Sequence, residues 1–535
     1  MKKVFAVLVL ILALAACKKQ KTGSIINYDD GRFYGDMLVV GSIGEPLNLL
    51  PALASDSASH EVADLIYSGL VKVDKNMKFA GELAERWEVS SDNKSVTYYL
   101  RKDVLWHDGA QFSAEDVLFT YRFMLDNNTP TSYDSDFRKI AAIEAPDDYT
   151  VVVSYDEPFA RALSTWSWIL PKHLLEGTAA TKSSLQRLPV GTGPYKFEKW
   201  DANQSLTLSA NNNYFEGRPH LAKVMFRYLQ DQSAAFLELL NGSIDQMTLT
   251  PAQYTRQTDT ERFNTQYNKY KYLSNTYTYI GYNLTRKPFD DKRVRQALSY
   301  ATPKERIITS VLHGLGVAAT GPYKPGSIWH NPNVKIYEYD LEKARMLLTA
   351  AGYSLDNKGR LVKEGKPLKI ELITNQNTTR VQIAEIIQQS WAELGIEVVI
   401  RVAEWGSFLH DIERKNFDAT ILAWNIVIDP DPSAVWRSDG CESRNTLNFI
   451  CFQNKIADTY MDAASVTLDE NVRKIAYDKF QELLAEEQPY TFLFVPDVLV
   501  ALSSRIEGIE PAPAGLMHNF IDWHVPAERV KYKVQ

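Results

Sequence analysis

The sequence predicts an α/β protein of at least two domains. Three observations carry this. The chain has 535 residues, and roughly 500 remain beyond a short apolar leader, too many for one core. Strand-like and helix-like stretches alternate along that length. At 369–401 the order is strand, helix, strand, which a parallel α/β unit produces.

The elements follow in order. Met37 to Gly41 is a short apolar strand that opens the folded body. Ser95 to Leu100 alternates with period two, as a half-buried strand does. Ser113 is a good N-cap, and Asp116 three residues on gives a capping-box-like helix start. Val117, Leu118, Tyr121 and Met124 then recur at helical spacing. Tyr149–Ser154, Ser205–Leu208 and Lys223–Tyr228 read as strands. Lys292–Tyr300 and Leu341–Ala351 are amphipathic helices, the second ending at Gly352 as a C′ residue. Lys369–Ile373 is a strand, Arg380–Leu394 a helix stopped by Gly395, and Glu397–Arg401 a strand. Tyr282-Asn283-Leu284 is where the chain is expected to pass from one half to the other. No internal repeat or low-complexity segment interrupts the pattern.

The first residues bear on compartment. Lys2 and Lys3 precede an unbroken apolar run, Val4 to Ala16. That run is shorter than the roughly 20 residues a membrane-spanning helix needs. A charged start and a short apolar core mark a secretory signal, residues 1–16. Leu14-Ala15-Ala16-Cys17 resembles a bacterial lipobox, which makes Cys17 the lipid-bearing residue of a membrane-anchored chain. Stable anchoring takes two or more acyl chains. Residues 17–36 are polar and read as the lipidated cysteine and a flexible tether. The expected location is extracytoplasmic, in a periplasm or at a cell surface.

Composition excludes some classes. With 45% hydrophobic residues the chain is ordinarily globular rather than disordered. The formal net charge is −7, and losing Lys2 and Lys3 with the leader makes it more acidic. That argues against a nucleic-acid partner, which needs clustered basic surface. Cys441 and Cys451 are the two remaining cysteines. In an oxidising compartment they most simply form a disulfide, the alternative being two free thiols.

Some suggestive strings carry no chemistry. His60-Glu61-Val62-Ala63-Asp64 begins like a zinc-protease helix, but Asp64 stands where a second histidine is needed. Gly191-Thr192-Gly193-Pro194-Tyr195-Lys196 lacks phosphate-loop spacing and reads as a turn entering a strand. No Gly-x-Ser-x-Gly elbow is present. No metal site, cofactor site or catalytic constellation emerges, so an enzyme is not expected.

Five stretches then coincide in order. The first is Leu83–Ser90 with Leu100–Gly109 and Phe112–Val117. The second is Gly191–Lys196. The third is Pro288–Ala297. The fourth is Phe417-Asp418-Ala419 with Trp424 and Asp429-Pro430-Asp431-Pro432. The fifth is Gln488-Pro489-Tyr490. Together they resemble the family 5 extracytoplasmic solute-binding proteins, the oligopeptide and dipeptide receptors of ABC importers. The resemblance implies a two-lobed, periplasmic-binding-protein-like α/β fold (type II, cluster C) with a hinge. It implies lobe I at 37–281 with an inserted subdomain at about 64–186, lobe II at 282–487, and a return to lobe I at 488–535. It implies a monomer that takes an oligopeptide or similar small solute to permease subunits.

The resemblance also nominates ligand-facing residues. Leu422 to Val427 matches the family's second-lobe ligand segment, so Ala423, Trp424, Asn425 and Val427 are candidates. Glu45 and Pro46 match first-lobe contacts, and Tyr279 and Trp405 are weaker matches. One departure stands out. The best-known receptors of the family carry an Asp three residues after this tryptophan, where it holds the ligand's α-amine. Here that position is Val427. Asp429 is the nearby acid that could replace it, with Asp431 next. The alternative is a guest without an α-amine, or a non-peptide solute such as an oligosaccharide or a nickel chelate.

Overall fold

The computed structural model describes residues 33–426, 429–443 and 446–534. The leader, Cys17 and Val427 lie outside the described residues.

Two large β-sheets share one strand. Tyr490–Ser503 runs through both. Its first half pairs with Thr276–Tyr282 and Gly316–Ala318. Its second half pairs with Gln246–Thr248 and Tyr267–Leu273. Beyond Gln246–Thr248 the first sheet, that of the strand's second half, continues through Met37–Ser42, Lys223–Tyr228, Ser205–Ala210 and Tyr195–Asp201. The second continues through Ala419–Asn425, Lys369–Asn375 and Glu397–Ala403. Separate apolar cores pack against the two sheets.

The chain therefore changes sheet between Leu273 and Thr276 and returns inside the shared strand. At the switch the Ser274 N–H donates to the Pro496 carbonyl at 3.0 Å. Pro496 has no N–H of its own to donate. The crossing expected at 282 and the return expected at 488 both fall inside the second half. The reason is that Thr276–Tyr282 pairs on both sides there.

A four-stranded antiparallel sheet forms within the stretch expected as an insertion. Its order is Ala84–Val89, Ser95–Leu100, Thr150–Tyr155, Ile140–Asp147. Helix Ala114–Leu125 covers it, and the Ser113 N–H donates to the Asp116 carboxylate at 3.1 Å. The helix buries Val117, Phe119, Thr120, Phe123 and Met124. Leu118 and Tyr121, expected on the core face, are half-buried. This helix has the sheet on one side and the central cavity on the other, so its buried arc is wider than one stripe.

The βαβ unit at 369–401 is present. Lys369–Asn375 and Glu397–Ala403 pair in parallel around helix Thr378–Ala392. Gly395 follows at φ +82°, a conformation that favours glycine. The Gly191–Lys196 string is a tight turn into strand Tyr195–Asp201. A Cβ on Gly191 would sit 1.9 Å from the Ile66 carbonyl oxygen, so only glycine fits there.

Asp36, expected at the end of the tether, belongs to the folded body. Asp36 is fully buried and ion-pairs with Arg505 at 2.6 Å. It also accepts from the backbone N–H groups of Lys531 and Tyr532, both at 2.9 Å. This ties the start of the body to its C-terminal end. Cys441 and Cys451 are joined by a disulfide, with Cα atoms 4.2 Å apart. Among the described residues no helix is long and apolar enough to cross a membrane.

Candidate functional site

A cavity of about 640 Å³ lies between the two halves. That volume is in the range of small-molecule sites. Helix Ser57–Ala63, helix Ala114–Leu125 and the loops around Tyr133 and Arg161 wall one side. Arg380, helix Trp405–Glu413, strand Ala419–Asn425 and the loops at 431–449 wall the other.

The second wall starts from a strand with a free edge. Ala419–Asn425 pairs along its whole length with Thr276–Tyr282. On its other side it pairs with Lys369–Asn375 only at Ala419 and Thr420. Among the described residues, Leu422–Asn425 thus has ladder partners on one side alone. An open edge of this kind accepts an added strand.

Ala423, Trp424, Asn425 and Trp405 all line the cavity. Trp424 stacks on Phe449 with centroids 5.4 Å apart and donates its indole N–H to the Tyr490 hydroxyl at 3.1 Å. Phe449 and Leu447 belong to the loop that the disulfide closes, and both line the cavity. Asn425 is held by the Thr276 hydroxyl at 3.1 Å.

Four expected residues do not line the cavity. Glu45 accepts from the Trp200 indole N–H at 2.6 Å and from the Asn203 backbone at 3.0 Å, so its carboxylate is fastened to a hairpin. Pro46 is buried beside it. The same loop touches the opposite half, since a Cβ on Gly44 would lie 3.6 Å from the Trp405 ring. Tyr279 is in the core, stacked on Tyr490 at 3.8 Å. The same Tyr490 accepts the Trp424 indole N–H. Asp429 ion-pairs with Arg473 at 2.5 Å, and its backbone carbonyl accepts from Arg161. Its carboxylate is therefore already occupied.

Arg161 joins the two walls. It pairs with Asp136 at 2.9 Å and approaches Asp431 at 3.7 Å. Burial pushes Asp136 up to about 6, against the pull of Arg161. Burial alone would lower Arg161, but Asp136, Asp431 and Asp429 outweigh it and raise it. A second bridge runs from the Ala160 N–H to the Ser465 carbonyl at 2.9 Å. The Ser55 hydroxyl donates to Glu413 at 2.8 Å. The halves are thus in contact around the cavity.

Sequence reasoning missed several lining residues. Arg380 donates to the Asn375 side chain at 3.1 Å and has no carboxylate partner among the described residues. Burial pushes it down to about 10, with Tyr279 pulling the other way. His60 stacks on Trp168 with centroids 5.1 Å apart, and Tyr133 meets both rings edge-on. The i, i+4 spacing of His60 and Asp64 was visible, but it was weighed only as a metal site. Arg380 opens a helix after a polar turn, which in sequence is an ordinary solvated position.

The comparisons decide the family. Residues 78–446 match the model of the bacterial extracellular solute-binding proteins, family 5. The chain belongs to the family 5 solute-binding proteins. It is 32% identical over 532 residues to the oligopeptide-binding protein AppA of Bacillus subtilis, covering 96% of this chain and 97% of AppA. The AppA structure holds a nonapeptide, and it matches with TM-score 0.86 at 31% identity, over 92% of this chain and 99% of that one. NikZ from Campylobacter jejuni, in complex with Ni(L-His), matches with TM-score 0.84 at 29% identity, covering 91% and 99%. DppA from Helicobacter pylori, with the peptide STSA, matches with TM-score 0.82 at 26% identity, covering 92% and 99%. Family 5 proteins are two-lobed extracytoplasmic binding proteins of ABC importers, not enzymes. The two sheets here are the cores of those two lobes, and the cavity is the cleft between them.

Proposed function

We propose that this protein captures oligopeptides in the interlobe cleft and delivers them, unaltered, to the permease of an ABC importer. The free backbone edge at Leu422–Asn425 carries the reading, because it offers main-chain pairing to an extended guest. Main-chain pairing gives affinity without fixing side chains. Trp424 and Trp405 supply rigid apolar area beside that edge. Arg380 takes a carboxylate of the guest. A lipidated Cys17 moors the monomeric body outside the cytosol. Lobe I starts at residue 37 and contains the insertion at about 64–186, and the lobes hinge at 273–276 and near 496.

A thermal-shift screen against a peptide library tests this. A bound peptide at 100 times Kd stabilises the chain by about 2.7 kcal/mol. Stabilisation by peptides is the expected result. No shift with any peptide, alongside clear shifts from another solute class, would overturn it.

A second reading keeps the cleft and changes the cargo to a non-peptide solute, such as a nickel chelate or an oligosaccharide. Two observations favour it. Asp429 is engaged by Arg473 and is not free for an α-amine, and the chain is similar to a protein solved with Ni(L-His).

A further inference from the structure

The charges lining the cleft do not cancel. Four carboxylates line it, from Asp56, Asp64, Asp136 and Asp431, against the guanidinium groups of Arg161 and Arg380. Asp136 and Asp431 flank Arg161. Asp56 caps its helix, accepting from the Ser59 backbone at 2.9 Å and the Ser59 hydroxyl at 2.5 Å. Apart from the capping Asp56, two charges remain without an ion-pair partner among the described residues. One is Arg380 in lobe II. The other is Asp64 in lobe I.

Asp64 follows helix Ser57–Ala63 and accepts one hydrogen bond, from the Trp168 indole N–H at 3.3 Å. No Lys, Arg or His among the described residues forms an ion pair with it. It is exposed to the cleft, with Trp168, His60 and Tyr133 around it. That crowding raises its pKa, and His60 and the Trp168 N–H only partly offset the rise. A lobe closing over a guest would strip water from this carboxylate. A cation from the guest offsets that cost.

We propose that Asp64 is a cation subsite, taking an ammonium or guanidinium group of the guest on the lobe I side of the cleft. The inference rests on the peptide reading and narrows it. The guest's positive group is held by lobe I, not by the acids that follow Trp424, which Arg473 and Arg161 already occupy. With Arg380 on the facing lobe, the cleft selects guests that carry a cation and a carboxylate apart from each other.

Calorimetric titration of the purified protein with three pentapeptides tests this. They are pentaalanine with a free N-terminus, its N-acetylated form, and an N-acetylated form with a central lysine. The expected result is that at least one ammonium-bearing peptide binds about tenfold tighter or more than the acetylated one that lacks an ammonium. Which of the two gains tells an α-ammonium from a side-chain ammonium. Asp64→Asn should close the gap, and Asp64→Glu should keep part of it. Equal affinities for all three peptides would overturn the subsite while leaving the peptide reading intact, and so would a gap that survives in Asp64→Asn. Binding of none would end the peptide reading and the subsite together. If the Asn variant does not fold, Asp64→Ser takes its place, with the same expected and overturning results.

Discussion

Arg380 shows how little a single residue's type reveals. In sequence it is one of many cations. In the fold it lines the cleft with one amide partner and no carboxylate. Arg380→Met should weaken binding of peptides with a free C-terminus by about tenfold to a hundredfold and leave C-amidated peptides nearly unchanged. Titration calorimetry of the two peptide forms reads this. Glu82 gives a pH signature elsewhere in lobe I. Burial pushes it from 4.5 to about 7, against the Gly69 N–H at 2.8 Å and Lys72. Between those two values the folded chain holds a proton that the unfolded chain has lost. This group therefore stabilises the fold as pH falls from about 7.5 to 5.5. Glu82→Gln keeps an acceptor for Gly69 and should remove that gain, seen as a smaller difference in Tm between the two pH values. Asp429 teaches the opposite lesson to Arg380. Its acidic character was legible, but its partners were not. Arg473 lies 44 residues away and Arg161 lies 268 away, and no local pattern links them.

Elements were the most legible scale. Strand Lys223–Tyr228 and helix Lys292–Tyr300 have the bounds their periodicity predicts. The capped start at Ser113 and the glycine stops at Gly352 and Gly395 are also where the sequence puts them. These signals are local, set by neighbours three or four residues apart. The crossing between lobes, expected at 282, is not set by any such local signal. Thr276–Tyr282 looks like any Tyr-rich strand, and its sheet is fixed by partners at 419–425 and 490–494. The loop from Cys441 to Cys451 also acts at this scale, since its disulfide holds Leu447 and Phe449 against the cavity. Replacing both cysteines with serine should cost about 3 kcal/mol by the chain-entropy model for a short loop. Urea denaturation measures that cost, and the same variant should bind peptides more weakly while keeping its fold.

At the scale of the whole molecule, the two-lobed plan was legible from five ordered stretches, whereas the cleft was not. A cleft is made where two lobes meet, and its walls come from ten separate parts of the chain, between Ala52 and Phe449. Several contacts join the two lobes around the cavity. Arg161 reaches Asp429 and Asp431, Ser55 reaches Glu413, and Gly44 abuts Trp405. Closure over a guest buries it from water, and reopening returns it. Release without chemical change is the core of the account. Native mass spectrometry of the protein purified from its own host tests it most directly. The account predicts mass adducts that dissociate on denaturation as intact peptides. Adducts of another solute class, or peptides recovered only as cleavage products, would contradict it.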